Sequence, residues 1–574
     1  MKHKTSMSIA IVGSGGAGSI TAGNLLLEAA ARSGSYGILT RSVGPQIRGG
    51  EAAALIRLSS EPIDSFGDSY DILLALDWKN ADRFAAELPM GPHGLIITDP
   101  EQGAIPAVIA GSMAQVRELP IGKLAKSVTK GRPNMIALGV LAEILSIPPE
   151  AIQAVLTKQL GDKGEQVLQS SMDTVTAGMA EARDFAKQPL PKTDDSGSGR
   201  WLVTGNQATG LGAVRAGIRF VAAYPITPAT EVLEWLATAL QKVGGKLVQA
   251  EDELASVNMI IGASYGGIPS LTATSGPGLS LMMEGLGLAV SAEVPIVVVD
   301  VMRVGPSTGI ATKAEQSDLN IAIYGLHGDA PHLVLAPVSI TDCLLTAQWS
   351  VYLAEAMQVP AILLSDQFLG QAMSIIDPPA AVNFKATRNI AQHSDGEYLR
   401  YADTESGVSP MAIPGTPGLQ YTADGLEHAM TGTPSTKAED HALQMDKRQR
   451  KIDNFDYGDY WAEVEGSGEF AVITWGSTTG AVREALRRLR AEGIDDIRMV
   501  AMRLLAPAQP EKFRHTMAGV RKTLVIEQSH SGQFYHYLRA HYDLPGEPEQ
   551  FHRAGPLLLR PGETTNQIKI WRQA

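Results

Sequence analysis

Residues 246–278 read KLVQAEDELASVNMIIGASYGGIPSLTATSGPG, and the fold class follows from this stretch. The run 246–250 is a short strand by length and apolar content. Residues 254–264 carry no charge and predict an unusually apolar helix that looks buried. Residues 270–274 return to strand, a TSGPG turn ends them, and 279–289 gives a second helical pattern. Strands alternating with helices predict a largely parallel sheet. Open sheets of that kind bind ligands at the carboxyl ends of their strands.

Working outward, further strands are expected at 220–223, 296–301 and 361–364. YPITP at 224–228 follows the first of these, with Tyr224 opening the turn. Two prolines stiffen that turn, and Pro228 suits the first turn of the next helix. Thr227 then reads either as a helix cap or as a hydroxyl presented at the sheet edge. Glu251, Asp252 and Glu253 close strand 246–250, where acids suit a helix N-terminus. Glu253, at the mouth of an apolar helix, is also a candidate for proton transfer. Thr274, Ser275 and Gly276 begin the SGPG turn, a further edge able to face an anion or a cofactor. Arg303 lies just past 296–301, and an arginine ending a buried strand calls for a carboxylate or phosphate partner. Beyond GPSTG at 305–309, Thr312 and Glu315 match a capping box, with Lys313 beside Thr312. Thr227, Glu253, Ser275 and Arg303 thus fall on the carboxyl ends of strands in one sheet, and convergence counts for more than any one motif.

The first part of the chain alternates in the same way. A strand at 8–12 runs into Gly13-Ser-Gly15-Gly16-Ala-Gly18, and a helix is expected over 19–32. Further strands are expected at 52–58, 72–76, 95–98 and 135–138. The glycine turn matches G-x-G-x-x-G, whose amides can approach a phosphate. The acidic ribose ligand due about 20 residues on is missing; YGILTR stands at 36–41, and Arg41 could suit a 2′-phosphate. A nicotinamide cofactor, another phosphate-bearing ligand and a purely structural turn all stay open. Arg48 in RGGE at 48–51 reads as an anion fork or as a solvated loop residue. Residues 187–200 (KQPLPKTDDSGSGR) have no periodicity and read as a linker and proteolytic hinge. Residues 395–460 are polar and rich in Gly and Pro, an extended excursion long enough to wrap another surface, with a charged helix near 445–452. A last α/β region has strands at 470–474, 498–502 and 523–527 and a helix at 479–492.

Composition narrows the function. The 574 residues allow several cores. Lys and Arg number 48 against 61 Asp and Glu, a net charge of −13 that argues against nucleic acid or a basic membrane surface. No apolar run reaches the length of a membrane span, and no signal-peptide core stands at the start, so a cytoplasmic location is expected. The single cysteine, Cys343, excludes an intrachain disulfide and a four-thiolate cluster held by this chain alone.

Taken in order, YPITP, EDELASVNMIIGASYGG at 251–267, TSGPG, VDVMRVGPSTG at 299–309 and TKAEQSD at 312–318 resemble the alpha subunit of 2-oxoacid:ferredoxin oxidoreductases, most of all the 2-oxoglutarate type. GVSP at 407–410, Pro414-Gly415, Glu427-His428 and Lys447-Arg448 with Lys451 fit as well. Residues 1–186 look like the family's gamma unit fused ahead of alpha. The order Glu253, Gly262, then 274–278 is also similar to thiamine diphosphate-dependent decarboxylases.

The resemblance implies three α/β domains with mostly parallel sheets. They are a gamma-like domain at 1–186, a thiamine-enzyme pyrimidine-type domain at 201–394 and a transketolase C-terminal-like domain at 466–574, with the linker at 187–200 and the excursion at 395–465. It implies oxidative decarboxylation of 2-oxoglutarate on thiamine diphosphate, acyl transfer to coenzyme A, and electrons passed to ferredoxin. Glu253 would contact the cofactor's aminopyrimidine and favour the form that deprotonates the thiazolium carbon, with Thr274, Ser275 and Gly276 beside the cofactor. Tyr224, Thr227, Arg303, Thr312 and Lys313 would face the 2-oxo acid. Gly13, Gly15, Gly16, Gly18 and Arg48 would meet coenzyme A. A separate beta subunit would hold the diphosphate, its Mg²⁺ and a 4Fe–4S cluster, as two copies of each chain. Pyruvate or a branched 2-oxo acid is the alternative substrate; an NAD(P)-binding dehydrogenase or a non-catalytic scaffold are the alternative classes.

Overall fold

The structure is a computed structural model that describes residues 5–44, 50–193, 199–394 and 396–574. Arg48 and residues 194–198 of the expected linker lie outside the described residues. The chain forms two compact units. One holds residues 1–204, 371–380 and 559–566, and the other holds 205–370, 381–558 and 567–574. Among the described residues the strands make three sheets.

The first unit is built around the strand Ser6–Ser14. Ile9, Ala10, Ile11 and Val12 are all buried, so the strand is covered on both faces and reads as an unbroken apolar run. On one side it continues through Tyr70–Ala75, Met90–Thr98 and Gln115–Glu118, all parallel. On the other side it continues through Glu51–Ser59, Tyr36–Val43, Met373–Ile376 and Trp201–Thr204, all antiparallel. The expected parallel order thus holds for half of this sheet. Two of its strands, Trp201–Thr204 and Met373–Ile376, come from the region expected to open and extend the second domain.

Residues 135–138, expected as a strand, lie in the helix Pro133–Ile144. Its residues from Asn134 to Ala142 are buried all round, which removes the helical stripe that periodicity needs. Gly139 and Gly178 explain the burial. A Cβ on Gly139 would overlap the Val175 carbonyl, and one on Gly178 the Ile136 carbonyl, so this helix meets Glu165–Glu181 backbone to backbone. The described half of the expected linker is tied down: Gln188 and Leu190 amides donate to Ile144 and Leu145, and Thr193 to Gly34.

The second unit carries two sheets. One runs Leu504–Ala506, Leu333–Leu335, Ala361–Asp366, Val297–Met302, Ser270–Thr274, Phe220–Ala223, Lys246–Gln249. Only its first pair is antiparallel. The other runs Ala462–Glu465, Ile497–Met502, Phe470–Trp475, Lys522–Glu527, Glu549–His552, again antiparallel only at its first pair. One apolar core spans both sheets, from Ala213 to Tyr542. The last α/β region also lends Leu504–Ala506 to the sheet of the region before it.

The polar excursion folds back on this unit through buried charge. Glu293 accepts from Lys447 Nζ at 2.5 Å and Lys451 Nζ at 2.9 Å, with all three side chains out of water. Arg400 Nη2 donates to the Glu293 carbonyl. Ahead of the excursion, Arg388 forks onto both Glu355 oxygens at 2.8 Å. Lys447 and Lys451 share one face of the helix Ala438–Asp453 at a spacing of four, so a helix that looks solvated by composition turns its cations inward.

Candidate active site

The parallel order Lys246–Gln249, Phe220–Ala223, Ser270–Thr274, Val297–Met302 sends four adjacent strands to one edge. The residues that follow them are Glu253, Thr227, Ser275 and Arg303. All four expected edge features therefore share one rim of one sheet, in a spatial order that the chain order does not give.

Thr227 is not a helix cap. The next helix is Thr230–Ala239, with Ala229 at its N-cap position and no side-chain cap, and residues 227–229 form a turn that includes Pro228. Thr227 and Tyr224 are exposed at the rim. The Thr227 carbonyl accepts from Arg303 Nη1 at 2.7 Å.

Asp252 caps the helix Glu253–Tyr265, its Oδ1 accepting from the Ala255 amide at 2.7 Å. That leaves Glu253 free of capping duty. Its side chain is buried, and among the described residues no hydrogen bond reaches its carboxyl. It lies against Gly278: a Cβ there would overlap Thr274 Oγ1 and stand 2.6 Å from Glu253 Oε1. The helix behind it is less buried than its composition predicts. Leu254 and Met259 are exposed, as is Leu281 on the neighbouring helix Gly276–Ser291. Ser275 stands at the N-terminus of that helix without capping it, and its Oγ is buried with no partner.

Arg303 is buried, and its one hydrogen bond among the described residues is the one to Thr227. Burial lowers its pKa, while Asp318 and Asp300 nearby raise it. Among the described residues neither carboxyl forms an ion pair with it. Asp300 sits in the middle of Val297–Met302 and is fully buried. Burial, then the adjacent Asp318, pushes its carboxyl well above the usual range; burial also raises Asp318. Neither acid was singled out from sequence, although a lone Asp inside VVVDVM was a legible signal.

The loop after Arg303 closes on itself, with Val304 donating to the Lys313 carbonyl and Ile310 to the Val304 carbonyl. Thr312 and Lys313 are thereby brought back to the strand end that carries Arg303. The expected capping box does not form, because the next helix is Leu319–Tyr324. Glu315 instead accepts from the Gly555 amide at 2.8 Å.

The glycine turn belongs to the other unit. Gly16 and Gly18 both have positive φ, at 98° and 90°, which glycine alone adopts without strain. The turn already holds an internal anion: Asp77 Oδ2 accepts from the Ser14 amide at 2.9 Å and its hydroxyl at 2.8 Å. The Gly15 amide is spent on the Gly50 carbonyl. Among the described residues no group of three His, Cys, Asp or Glu is placed to hold a metal, and none of their helices is long and apolar enough to cross a membrane.

Residues 211–447 match the family described as pyruvate flavodoxin/ferredoxin oxidoreductase, thiamine diphosphate-binding, and residues 8–181 match pyruvate ferredoxin/flavodoxin oxidoreductase. The chain is similar to 2-oxoacid:ferredoxin oxidoreductase 2, subunit alpha, of Aeropyrum pernix, 32% identical over 75% of this chain and 72% of that one. It is 34% identical to 2-oxoglutarate synthase subunit KorA of Methanothermobacter marburgensis, over 64% of this chain and 98% of that one. Its fold superposes on 2-oxoglutarate:ferredoxin oxidoreductase from Magnetococcus marinus with a TM-score of 0.91 and 37% identity, covering 99% of each chain. That structure has 2-oxoglutarate, coenzyme A and succinyl-CoA bound.

Proposed function

The chain belongs to the 2-oxoacid:ferredoxin oxidoreductase alpha-subunit family, and from that membership we propose that it is the catalytic subunit, gamma fused to alpha, of a 2-oxoglutarate:ferredoxin oxidoreductase. The observation that carries the reading is Glu253. It is a buried residue whose carboxyl has no hydrogen-bonding partner among the described residues, seated against Gly278, where a Cβ would stand 2.6 Å from its Oε1. That is a fit for a cofactor ring nitrogen, and the partnerless Ser275 Oγ beside the same turn adds a second open polar atom.

Thiamine diphosphate, when bound, supplies a nucleophilic carbon that can take up the electron pair released by decarboxylation. Glu253 would hold and move the proton at the cofactor's ring nitrogen. Arg303, with its remaining N–H groups uncommitted, would grip a carboxylate of the 2-oxo acid. Tyr224 and Thr227, exposed at the same rim, and Thr312 and Lys313, returned to it by their loop, would frame the rest of the substrate.

Leu254, Met259 and Leu281 are exposed apolar side chains on the two helices whose N-termini form the site. This supports completion of the site by a beta subunit, which would bring the diphosphate-binding half, Mg²⁺ and the 4Fe–4S cluster in an (αβ)₂ assembly. The substrate bound to the Magnetococcus marinus relative, and the names of other relatives, favour 2-oxoglutarate over pyruvate. Coenzyme A would be the acyl acceptor, with the amides of Gly16 and Gly18, beyond the donors already taken by Asp77 and Gly50, candidates for one of its phosphates.

The test is anaerobic purification with the beta subunit, then viologen-dye reduction with a panel of 2-oxo acids and coenzyme A. Turnover should require both chains and favour 2-oxoglutarate. Preference for pyruvate would replace the substrate, and unaided turnover by this chain would remove the division of labour.

A further inference from the structure

Two carboxyls lie beside the arginine assigned to substrate, and no step above uses them. Asp300 is fully buried, and among the described residues neither of its oxygens meets an N–H or O–H donor. Asp318 stands where it could cap the Leu319–Tyr324 helix, but its side chain accepts no amide there, and its Oδ2 is buried without a donor. Asp300 stands in register with Thr274 on the neighbouring strand, and Gly276, two residues beyond Thr274, lies against Asp318, so the same turn brings the two buried carboxyls together and each acts on the other's titration. Two ionised carboxylates buried side by side repel and have no hydrogen to share, so the arrangement favours one proton between them. The SGPG turn closes in on the pair: a Cβ at Gly276 would lie 2.6 Å from Asp318 Oδ2 and 2.9 Å from Oδ1.

Charge balance gives the contact a meaning. With one shared proton the pair carries a single negative charge, which balances the buried Arg303 guanidinium. With no proton it carries two, and the neighbourhood of Arg303 becomes net negative. Arg303 is the cation that acts on the pair, and Glu315 is the further anion that faces Asp318.

Resting on the assignment of Arg303 to the substrate carboxylate, we propose that Asp300 and Asp318 hold one proton between them and serve as the positioning counter-ion of Arg303, admitting an anionic substrate while that proton is present. Loss of the proton as pH rises places a second negative charge where the substrate carboxylate must dock. KM should then rise, by up to about tenfold per pH unit for one proton, while kcat changes little. Asp318→Asn replaces the shared proton by a permanent amide N–H and leaves Asp300 ionised, so the charge stays at one at every pH.

The experiment uses the assembled alpha–beta complex, with 2-oxoglutarate and pyruvate as substrates. The wild-type KM should climb with pH, and Asp318→Asn should flatten that climb without changing kcat at the low-pH end. Infrared difference spectra without substrate should show a deuterium-sensitive carboxylic-acid carbonyl band in the wild type that Asp318→Asn removes. A band that survives in Asp318→Asn, or a KM profile that superposes on the wild type, overturns the proposal. Arg303→Lys separates the premise from the inference. If it leaves KM unchanged for every 2-oxo acid, the substrate assignment falls and the counter-ion role with it, while the infrared band still reports whether the proton is shared.

Discussion

Arg303 reaches from the end of Val297–Met302 to the Thr227 carbonyl, which follows Phe220–Ala223. These strands are not neighbours; Ser270–Thr274 lies between them. The guanidinium thus bridges the carboxyl end of the middle strand, where Ser275 leaves a buried hydroxyl without a partner. One hydrogen bond to a carbonyl anchors one end of the group and leaves its other N–H groups for a ligand.

Replacing that fork by a point charge tests its role. Arg303→Lys should leave the complex folded but cost roughly 1.5–3 kcal/mol, or about 10–150-fold in kcat/KM. The loss should appear with every 2-oxo acid if Arg303 grips the shared C1 carboxylate. It should appear with 2-oxoglutarate and spare pyruvate if it grips the distal one. Unchanged kinetics with both would make it a structural residue.

Glu253→Gln keeps the shape of the side chain and removes its basicity. Turnover should fall by about 10²–10⁴, with thermal unfolding and assembly with the beta subunit unchanged. Exchange of the thiazolium proton, followed directly, should slow in parallel. Normal exchange in the variant would take Glu253 out of the reaction.

Gly278→Ala tests the cradle. The added methyl has to displace Thr274 Oγ1 and the Glu253 carboxyl. Overpacking of this kind costs about 1–3 kcal/mol, so the complex should melt a few degrees lower. Activity should fall far more than stability, because the displaced atom is the one assigned to the cofactor. A variant as active as the wild type would show that the contact does not set the position of Glu253.

The placement of the candidate residues Thr227, Glu253, Ser275 and Arg303 on one rim was legible because each closely follows a strand. The runs 220–223 and 270–274 are strands as expected, and the TSGPG turn opens its helix. The spatial order was not legible, since Lys246–Gln249 follows Phe220–Ala223 in sequence but sits outside it. Nor do short apolar strands carry an address: Trp201–Thr204 and Met373–Ile376 could join either sheet by composition. Residues 135–138 show the same ambiguity, since four buried apolar residues fit strand or helix; Pro133, at the first turn of the helix, was the usable signal. Thr312 and Glu315 have the spacing of a capping box, but Glu315 is held by an amide 240 residues away, a tertiary bond that no local pattern reports.

The buried cluster around Glu293 predicts an asymmetric response to mutation and to pH. Three cations, Lys447, Lys451 and Arg400, surround one carboxylate. Glu293→Gln leaves them with no anion and should cost about 3–5 kcal/mol in urea unfolding. Lys451→Met leaves Glu293 with two cations and should cost far less. The pH dependence follows from the shifts. Burial lowers Lys451 from 10.5 to about 7, so between these values the unfolded chain binds more protons than the folded one. Stability therefore rises with pH across that window. Burial alone would raise the Glu293 carboxyl, but Lys451, Lys447 and Arg400 hold it far below 4.5; its contribution is present above that pH and is lost as pH falls. The urea midpoint of the wild type should therefore gain on that of Lys451→Met from pH 7 to 10. Parallel curves over that range would mean that Lys451 stays charged in the fold.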